Sequence, residues 1–327
     1  MTLARSALIT GITGQDGSYM AELLLEKGYD VFGLARETAD DRLGCAQHLR
    51  DRVTLVYGDL LKPETLTAAV VDNRPDELYH LAAPSFLPAS WQSPTHTFRA
   101  ISTATATLLE AVRDQTPNAR VFLASSVAMF GAVDQSPQRE DTPSRPQNPY
   151  AIAKLAAHRL AGLMRSHDRL FVCSGILYNH ESERRPESFV TRKVTRAAAQ
   201  IKLGLATKLT LGDLDAVRDW SYAADIMRGA WLTLQQDEPD DYILASGLPH
   251  TVAQLAGIAF AHVGLDWRDH IQVDTLLQRP PDTAPLIGDP ARAHTRLGWH
   301  PTVPFEQLVH RMVDADLQEL MATAESC

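Results

Sequence analysis

The sequence is poor in cysteine and carries more acidic than basic side chains. Three cysteines occur in 327 residues (Cys45, Cys173 and Cys327), and their wide spacing fits neither a disulfide framework nor a metal site. They indicate free thiols in a reducing compartment, and we expect a cytoplasmic protein. The formal net charge of −9 argues against nucleic acid or an anionic membrane as the main partner.

Long hydrophobic runs are also missing. No stretch of about 18 consecutive apolar residues occurs, so we expect neither a signal peptide nor a transmembrane helix. No internal repeat is evident, and no metal site is predicted. The remaining composition, 45% hydrophobic and 22% charged, is that of an ordinary globular protein with one large domain or two closely joined ones.

Short apolar runs alternate with stretches of helical periodicity. The runs predict buried strands at residues 7–10, 30–35, 53–57, 77–83, 120–126, 170–177 and 242–246. The periodic stretches predict helices at residues 18–27, 63–73, 95–113 and 150–166. This alternation predicts an α/β fold with a parallel sheet and helices on both of its faces.

The composition changes after residue 178, where the chain becomes rich in Arg, Lys and Glu. We predict a nucleotide-binding Rossmann domain formed by residues 1–178 and about 218–246. Residues 179–217 and 247–327 would form a smaller α/β substrate-binding domain. Since no flexible linker is evident between them, we expect the active site in the cleft that the two domains share.

A glycine-rich segment follows the first predicted strand. It carries Gly11, Gly14 and Gly17 in a G-x-x-G-x-x-G pattern before a predicted amphipathic helix. The first glycines permit a tight turn and a close approach of the backbone to a pyrophosphate, and Gly17 lets the helix pack on the sheet. Because the helix N-terminus then faces the phosphates, the segment predicts a dinucleotide-binding loop.

The end of the second predicted strand indicates which nicotinamide cofactor is bound. An acid there holds a ribose hydroxyl, whereas a base holds a 2′-phosphate. The strand ends at Arg36, which favours NADP(H) over NAD, although Glu37 follows immediately. Asp59 is the acid expected to face the adenine. The cofactor is expected to lie against a run of small and aliphatic residues, Leu81, Ala82 and Ala83.

A tyrosine and a lysine one helical turn apart form the predicted catalytic group. Tyr150 and Lys154 share a helix face, and the ammonium is expected to lower the tyrosine pKa. Ser126, at the end of the preceding strand, would bind the same substrate oxygen. Ser125 is the alternative, but neighbouring strand residues point to opposite faces, so only one of the two faces the cleft. Such a group moves a proton while hydride is transferred.

These motifs together resemble an extended short-chain dehydrogenase/reductase, and specifically the GDP-mannose 4,6-dehydratase family and the related GDP-4-keto-6-deoxymannose reductases. The similarity runs through nearly the whole chain, in GITGQDGSYMAELLLEKGY, NPYAIAK, ILYNHESERR, SFVTRK, LGDLDAVRDW and QRPPD. The resemblance implies a Rossmann fold, tightly bound NADP(H) and a GDP-hexose as substrate.

The resemblance also implies roles for single residues. Besides the residues already named, it implies cofactor contacts for Thr13, Gln15, Asp16, Leu60, Leu177, His180 and Arg185. It implies substrate contacts for Ser85, Ser126, Asn179, Val190, Lys193, Arg218 and Arg279. Arginine binds a diphosphate bidentately, which suits Arg218 and Arg279.

The sequence departs from the family pattern at the catalytic strand. The family places Glu two residues after Ser or Thr, but here Ala128 follows Ser126 and Val127, and Phe130 replaces a tyrosine. That glutamate is the base at C5 and the acid for the leaving C6 hydroxyl, and alanine can do neither. Oxidation or reduction at C4 does not need it. We therefore favour reduction of a 4-keto sugar, or 4-epimerisation.

Two alternative functions stay open. The protein could be a GDP-mannose 4,6-dehydratase that uses a substitute acid, or a catalytically silent nucleotide-sugar-binding protein.

A second departure from the family pattern bears on assembly. The acidic segment 37–41 replaces a family loop, rich in Arg and Ser, that reaches the cofactor of a neighbouring subunit. We therefore expect a homodimer in preference to the family's tetramer.

Overall fold

A computed structural model describes residues 4–37, 43–274, 276 and 284–325. Its strands are β1 (Ser6–Thr10), β2 (Asp30–Ala35), β3 (Thr54–Tyr57), β4 (Glu77–His80), β5 (Arg120–Ser126), β6 (Val172–Leu177), β7 (Asn179–Glu181), β8 (Leu209–Leu211), β9 (Val217–Tyr222), β10 (Asp241–Leu244), β11 (Pro249–Thr251) and β12 (Ile271–Val273). Its α-helices are α1 (Gln15–Glu26), α2 (Pro63–Asn73), α3 (Leu87–Gln92), α4 (Pro94–Phe98), α5 (Ala104–Gln115), α6 (Pro149–His167), α7 (Val190–Lys202), α8 (Ala223–Thr233), α9 (Val252–His262), α10 (Ala291–Leu297) and α11 (Phe305–Glu325).

Seven strands form one parallel sheet in the order β10-β6-β5-β4-β1-β2-β3. The chain order reverses between β1 and β4, which are neighbours in the sheet. In open α/β sheets, ligands bind outside the carboxyl ends of the strands at such a switch point. The predicted Rossmann doubly wound sheet is confirmed, and its carboxyl edge is where a site is expected.

Helices cover both faces of this sheet. Ala7, Ile9 and Tyr79 point to one face, where they join a buried cluster with residues of α1 and α8. Leu8 and Leu78 point to the other face and join a cluster with residues of α2, α5 and α6. Since successive strand residues are buried on opposite faces, the strands read as near-continuous apolar runs in the sequence.

The strand predicted at 77–83 is shorter in the structure and ends at His80. The hydroxyl of Thr10 accepts hydrogen bonds from the amides of Leu81 and Ala82, both at 3.1 Å, so these amides are diverted from the sheet ladder. The same hydroxyl lies 2.8 Å from His80 Nδ1. Burial, aided by the charge of Lys154, lowers the pKa of His80 to about 3, so the ring is neutral. Because the Thr10 oxygen already accepts from two amides, its hydroxyl is assigned as the donor to His80 Nδ1.

The helix predicted at 95–113 is interrupted. A π-helical turn, Arg99–Thr103, lies between α4 and α5. Within this turn the Ser102 hydroxyl donates a hydrogen bond of 2.9 Å to the carbonyl of Ala153 in α6. Periodicity alone does not register a turn of this kind, because the apolar spacing continues through it.

Two small sheets lie outside the main one, in the orders β11-β9-β7 and β12-β8. Residues of α7, α9 and α11 form a further buried hydrophobic cluster beside them. This cluster is compatible with the predicted second domain, but the division of the chain into two domains stays a prediction. Among the described helices, none is both long and apolar enough to cross a membrane.

The glycine segment provides a matched pair of substitutions that tests the fold. A Cβ on Gly17 would lie 2.1 Å from the Gly11 carbonyl oxygen and 2.6 Å from Ile12 Cα, whereas a Cβ on Gly14 would come no closer than 3.4 Å to that oxygen. We expect Gly17→Ala to lower the free energy of unfolding by about 1–3 kcal/mol or more, because backbone must move. Gly14→Ala should change it by less than about 1 kcal/mol. Urea denaturation measures both, and equal losses would contradict the close packing of α1 on the loop.

Candidate active site

The start of α6 sets the position of the predicted catalytic pair. Asn148 precedes the helix, and its side-chain oxygen accepts a hydrogen bond of 2.9 Å from the amide of Ala151. Pro149 occupies the first helical position, where its missing N–H has no consequence. This cap fixes the helix so that Tyr150 and Lys154, only 8% and 6% exposed, both face β5 at its carboxyl end.

The two serines at the end of β5 have different surroundings. The Ser125 side chain is buried, and its hydroxyl contacts the sulfur of Met129 at 3.5 Å. The Ser126 hydroxyl accepts a hydrogen bond of 3.2 Å from the amide of Ala128 and also interacts with the Tyr150 phenol. Ser126 is therefore the serine that shares the pocket of the tyrosine.

Lys154 lies beneath the tyrosine. Its ammonium donates a hydrogen bond of 2.7 Å to the carbonyl of Ala124 in β5 and lies 5.9 Å from the centre of the Tyr150 ring. Burial lowers the pKa of Lys154 to about 8, and the negative charge of Asp16 only partly opposes this shift. At neutral pH most of the lysine is still protonated.

The expectation that the tyrosine pKa is lowered is wrong for this structure. Burial raises the pKa of Tyr150, and the interaction with Ser126 and the positive charge of Arg185 offset that rise only in part. The physical reason is that the phenol is almost completely removed from water, while the Lys154 ammonium is directed to the Ala124 carbonyl.

The glycine segment has the shape that a dinucleotide needs. Gly11 adopts a positive φ of 79°, and a Cβ at this residue would lie 3.0 Å from the backbone of Ala82. Gly14 precedes α1, and no side chain caps the helix start. Uncapped N–H groups at a helix N-terminus attract a phosphate, so the segment fits the pyrophosphate of a bound dinucleotide.

A hydrogen-bonded network joins the start of α1 to β7. His180 Nε2 lies 2.9 Å from an Asp16 carboxylate oxygen, and His180 Nδ1 lies 2.7 Å from the Tyr178 carbonyl oxygen. Burial alone would raise the pKa of Asp16, but His180 and a hydrogen bond from Gln15 outweigh it and lower that pKa to about 2. Burial opposes protonation of His180, yet Asp16 raises the pKa of the ring above its ordinary value.

Arg185 is a second cation of the site, and it is half-buried. Its Nε lies 3.1 Å from a carboxylate oxygen of Glu181, which also accepts a 2.5 Å hydrogen bond from Thr191. The guanidinium lies 3.6 Å from the centre of the Phe189 ring, and Phe86 meets that ring edge-on with centres 6.4 Å apart. The charge of Arg185 lowers the pKa values of Tyr150 and Asp16, which ties it to the catalytic group.

The other predicted nucleotide contacts lie along the carboxyl edge of the sheet. Arg36 follows β2 and is exposed, and the exposed Glu37 is its neighbour. One carboxylate oxygen of Asp59 accepts a 2.9 Å hydrogen bond from the amide of Leu61. The remaining predicted contacts in these loops are buried or half-buried: Thr13, Leu60, Leu81, Ala82, Ala83 and Leu177.

The predicted substrate contacts are dispersed over several elements. Ser85 is exposed in the segment after β4, Asn179 begins β7 and Val190 begins α7. Lys193 donates a 2.7 Å hydrogen bond to the Thr210 carbonyl, and Arg218 donates one of 2.6 Å to the Val217 carbonyl. Arg279 lies outside the described residues. The roles of these residues stay predictions.

Ala128 occupies the position where the family pattern has a glutamate and this sequence has none. Its methyl group is half-buried against the hydrophobic cluster that contains Tyr150, and Phe130 is completely buried. Asp16 is the carboxylate whose charge acts on both Tyr150 and Lys154, and it is already paired with His180. Among the residues that the structure describes, no group of acids, histidines or cysteines is suited to hold a metal ion.

Sequence reasoning missed several partners of the site. The dipeptide Asn148–Pro149 is a helix-start pattern and could have been recognised. Ala124 contributes only a backbone carbonyl oxygen, and no side-chain pattern predicts that Lys154 bonds to it. No sequence pattern indicated that the ring of Phe189 contacts the Arg185 guanidinium.

Comparison with known proteins decides the family. The chain matches the family described as GDP-mannose 4,6 dehydratase over residues 8–312. It is 44% identical, over 324 residues, to GDP-mannose 4,6 dehydratase 1 of Arabidopsis thaliana, with 95% of this chain and 90% of the relative covered. The chain belongs to the GDP-mannose 4,6-dehydratase family. It is 39% identical to the human enzyme of that name over 344 residues, with 97% and 92% covered.

Solved structures agree on the fold. RMD from Pseudomonas aeruginosa, solved with NADPH, aligns with a TM-score of 0.82 at 23% identity, covering 97% of this chain and all of the other. UDP-glucose 4-epimerase of Thermus thermophilus, solved with NAD, aligns with a TM-score of 0.80 at 25% identity, covering 95% and 98%. The family member described here is thus an enzyme with the fold of extended short-chain dehydrogenases/reductases.

The buried ammonium of Lys154 makes stability depend on pH. Since its folded pKa of about 8 is below the ordinary 10.5, the charged form is penalised in the fold below pH 8. This penalty disappears as the pH rises from 8 to 10.5. We expect the free energy of unfolding to rise over that range by at most about 3–4 kcal/mol, at about 1.4 kcal/mol per pKa unit, relative to Lys154→Met. Urea denaturation of both proteins at each pH isolates the effect. A constant difference between them would contradict a buried, charged Lys154.

Proposed function

We propose that this protein is an NADP(H)-dependent enzyme that oxidises or reduces C4 of a GDP-hexose, acting as a reductase of a 4-keto sugar or as a 4-epimerase. The observation that carries the proposal is the composition of the catalytic pocket. Ser126 interacts with Tyr150, and Lys154 of the same helix bonds to the strand that carries Ser126. The methyl group of Ala128 packs against the hydrophobic cluster that includes Tyr150. The pocket therefore has the parts for C4 chemistry and lacks the family's carboxylate.

The cofactor assignment rests on the glycine segment and on Arg36. The loop around Gly11 and Gly14 and the uncapped start of α1 would hold the pyrophosphate. Arg36 at the end of β2 would hold a 2′-phosphate, and RMD of Pseudomonas aeruginosa, a fold relative, was solved with NADPH. When bound, the nicotinamide supplies hydride to C4 or accepts it from C4.

The protein's own groups handle the proton. In reduction, Tyr150 gives its phenolic proton to the C4 oxygen, and Ser126 hydrogen-bonds the same oxygen. The positive charge of Arg185 stabilises the tyrosinate left behind, and the Lys154 ammonium ties α6 to the end of β5. In oxidation the same steps run backwards. Epimerisation combines one oxidation with one reduction on the opposite face, so it consumes no net cofactor.

Loss of water from GDP-mannose makes further demands. A base must remove the C5 proton, and an acid must protonate the departing C6 hydroxyl. Ala128 can do neither, and the loss of a positioned acid–base group lowers a rate by roughly 10²- to 10⁴-fold. Because function resides in the site more than in the fold, we weight residue 128 above the overall resemblance.

A second candidate function is GDP-mannose 4,6-dehydration with a substitute acid. The similarity to relatives of that name over 95% or more of this chain favours it. It requires a proton carrier near C6 that takes the part of the missing glutamate.

Incubation with defined substrates separates the two functions. The protein is given GDP-mannose alone or GDP-4-keto-6-deoxymannose with NADPH, and the products are analysed by mass spectrometry and chromatography. Gain of two hydrogens on the keto sugar, or an isomer of unchanged mass, is expected. Efficient loss of one water from GDP-mannose would overturn the proposal in favour of the second candidate.

Substitution of Ala128 tests whether the missing carboxylate sets the reaction. We expect Ala128→Glu to gain dehydration of GDP-mannose by roughly 10²-fold or more over the unchanged protein. Ala128→Gln, of nearly equal size but without a titratable group, is the matched control and should gain none. Equal rates for both variants would show that residue 128 does not decide the reaction.

Removal of the phenol tests the C4 step directly. Tyr150→Phe should lower turnover by roughly 10²- to 10⁴-fold, because a positioned general acid is lost, with little change in NADPH affinity. Turnover and NADPH binding are measured on the same preparations. A fully active Tyr150→Phe variant would remove Tyr150 from the mechanism.

Assembly and location are part of the proposal. The acidic segment after Arg36 supports a homodimer in preference to a tetramer, and the free thiols support a cytoplasmic location. Size-exclusion chromatography with light scattering should give a mass of two chains, and four chains would contradict the dimer.

A further inference from the structure

The imidazole ring of His180 lies between two groups that can only accept hydrogen bonds. One ring nitrogen is 2.9 Å from the Asp16 carboxylate, and the other is 2.7 Å from the Tyr178 carbonyl oxygen. A neutral imidazole carries one N–H, so it can satisfy only one of these two acceptors. A doubly protonated imidazolium satisfies both.

Neighbouring hydrogen bonds fix the charge of the acceptor on α1. The Gln15 side-chain nitrogen donates to the second Asp16 oxygen at 3.0 Å and to the His180 carbonyl at 3.2 Å. The Gln15 side-chain oxygen accepts a 2.8 Å hydrogen bond from the Ser182 hydroxyl, so the orientation of this amide is determined. Although burial alone would raise the pKa of Asp16, its neighbours His180 and Gln15 lower that pKa to about 2, so the carboxyl group is an anion at neutral pH.

We propose that His180 is held as an imidazolium in the folded protein and acts as a positioning residue, an ionic latch that fixes the glycine loop and the start of α1 against β7. Asp16 and Gln15 directly follow the loop, and both bond to β7 or to the residue after it. The side chains of His180 and Asp16 are only 12% and 23% exposed, so water screens the pair weakly.

The latch bears on the proposed function through the loop that it holds. If the loop receives the pyrophosphate of NADP(H), an ordered loop binds the cofactor more tightly, because less conformational entropy is lost on binding. This effect on cofactor binding rests on the proposed function. The charge state of His180 and the order of the loop do not depend on it.

Several charged groups face the latch and determine its pH range. Asp16 on α1 favours the imidazolium, and Arg185, beyond β7, disfavours it. On α6, Lys154 and Tyr150 both experience the charge of Asp16. Asp16 raises the pKa of His180 above its ordinary value, so the latch is lost as the pH rises through that raised pKa. Asp16 itself, with its pKa of about 2, opens the latch only in strong acid.

Nitrogen NMR on protein labelled at histidine tests the charge state without any ligand. We expect both His180 nitrogens to show the shift of a protonated ring at pH 7, and the signal is assigned from its absence in His180→Gln. In Asp16→Asn, which keeps an acceptor but removes the charge, the titration midpoint should fall by about one pH unit or more. A neutral His180 at pH 6.5 in the unchanged protein would overturn the proposal.

Hydrogen exchange and cofactor binding test the positioning role. Amide exchange of residues 11–17 should become at least several-fold faster in His180→Gln. The control is His48→Gln, which removes a half-exposed histidine that also pairs with an acid of α1, Glu22, and should leave exchange unchanged. Equal exchange in the unchanged protein and His180→Gln would refute the latch.

NADPH titration at pH 6.5 and 8.5 then links the latch to binding. Lys154 also titrates near pH 8, so the comparison is between proteins. The loss of affinity at high pH should be smaller in His180→Gln than in the unchanged protein, and His48→Gln should follow the unchanged protein. An equal loss in all three would refute the link between latch and cofactor. If the unchanged protein binds no NADPH at either pH, the proposed function is refuted. The hydrogen-exchange result tests the latch independently of that outcome.

Discussion

The hydrogen bond from the Lys154 ammonium to the Ala124 carbonyl is the contact on which the proposed catalytic arrangement depends. It connects α6 to the carboxyl end of β5, and these two elements carry Tyr150 and Ser126. Burial lowers the pKa of the lysine toward 8, so the fold tolerates this charge at some expense in stability. A second hydrogen bond, from the Ser102 hydroxyl to the carbonyl of Ala153, the residue before the lysine, connects α6 to the π-helical turn.

The remaining charges of the site are arranged around this contact in pairs. Asp16 is matched with His180, and Arg185 with Glu181. Each pair joins side chains that are largely buried, where an unmatched charge would be very unfavourable. The pairs nevertheless act on the tyrosine in opposite directions, since Asp16 raises its pKa and Arg185 lowers it. The tyrosine pKa is therefore set by burial first, by the interaction with Ser126 second, and by the balance of Arg185 and Asp16 after these.

Local sequence patterns predicted much of the fold and brought Ser126 together with Tyr150. The bounds of β2, β5 and α2 agree with the prediction, because buried strands and a proline-started helix are strong local patterns. The predictions failed where a distant side chain intervened. Thr10 ends β4 early by taking the amides of two later residues, and the π-helical turn before α5 leaves the apolar spacing intact. The pKa of Tyr150 could not be read from its spacing to Lys154, because burial is a property of the whole fold.

The position of Ala128 connects these arguments to the reaction. Its methyl group packs on the hydrophobic cluster that includes Tyr150, and its amide already bonds to the Ser126 hydroxyl. A carboxylate at this residue would lie partly within apolar surroundings, where the ionised form is disfavoured and the pKa is raised. Such a raised pKa suits a group that must both take and give a proton near neutral pH. An alanine in the same surroundings packs well and leaves Tyr150 as the proton donor of the proposed C4 chemistry.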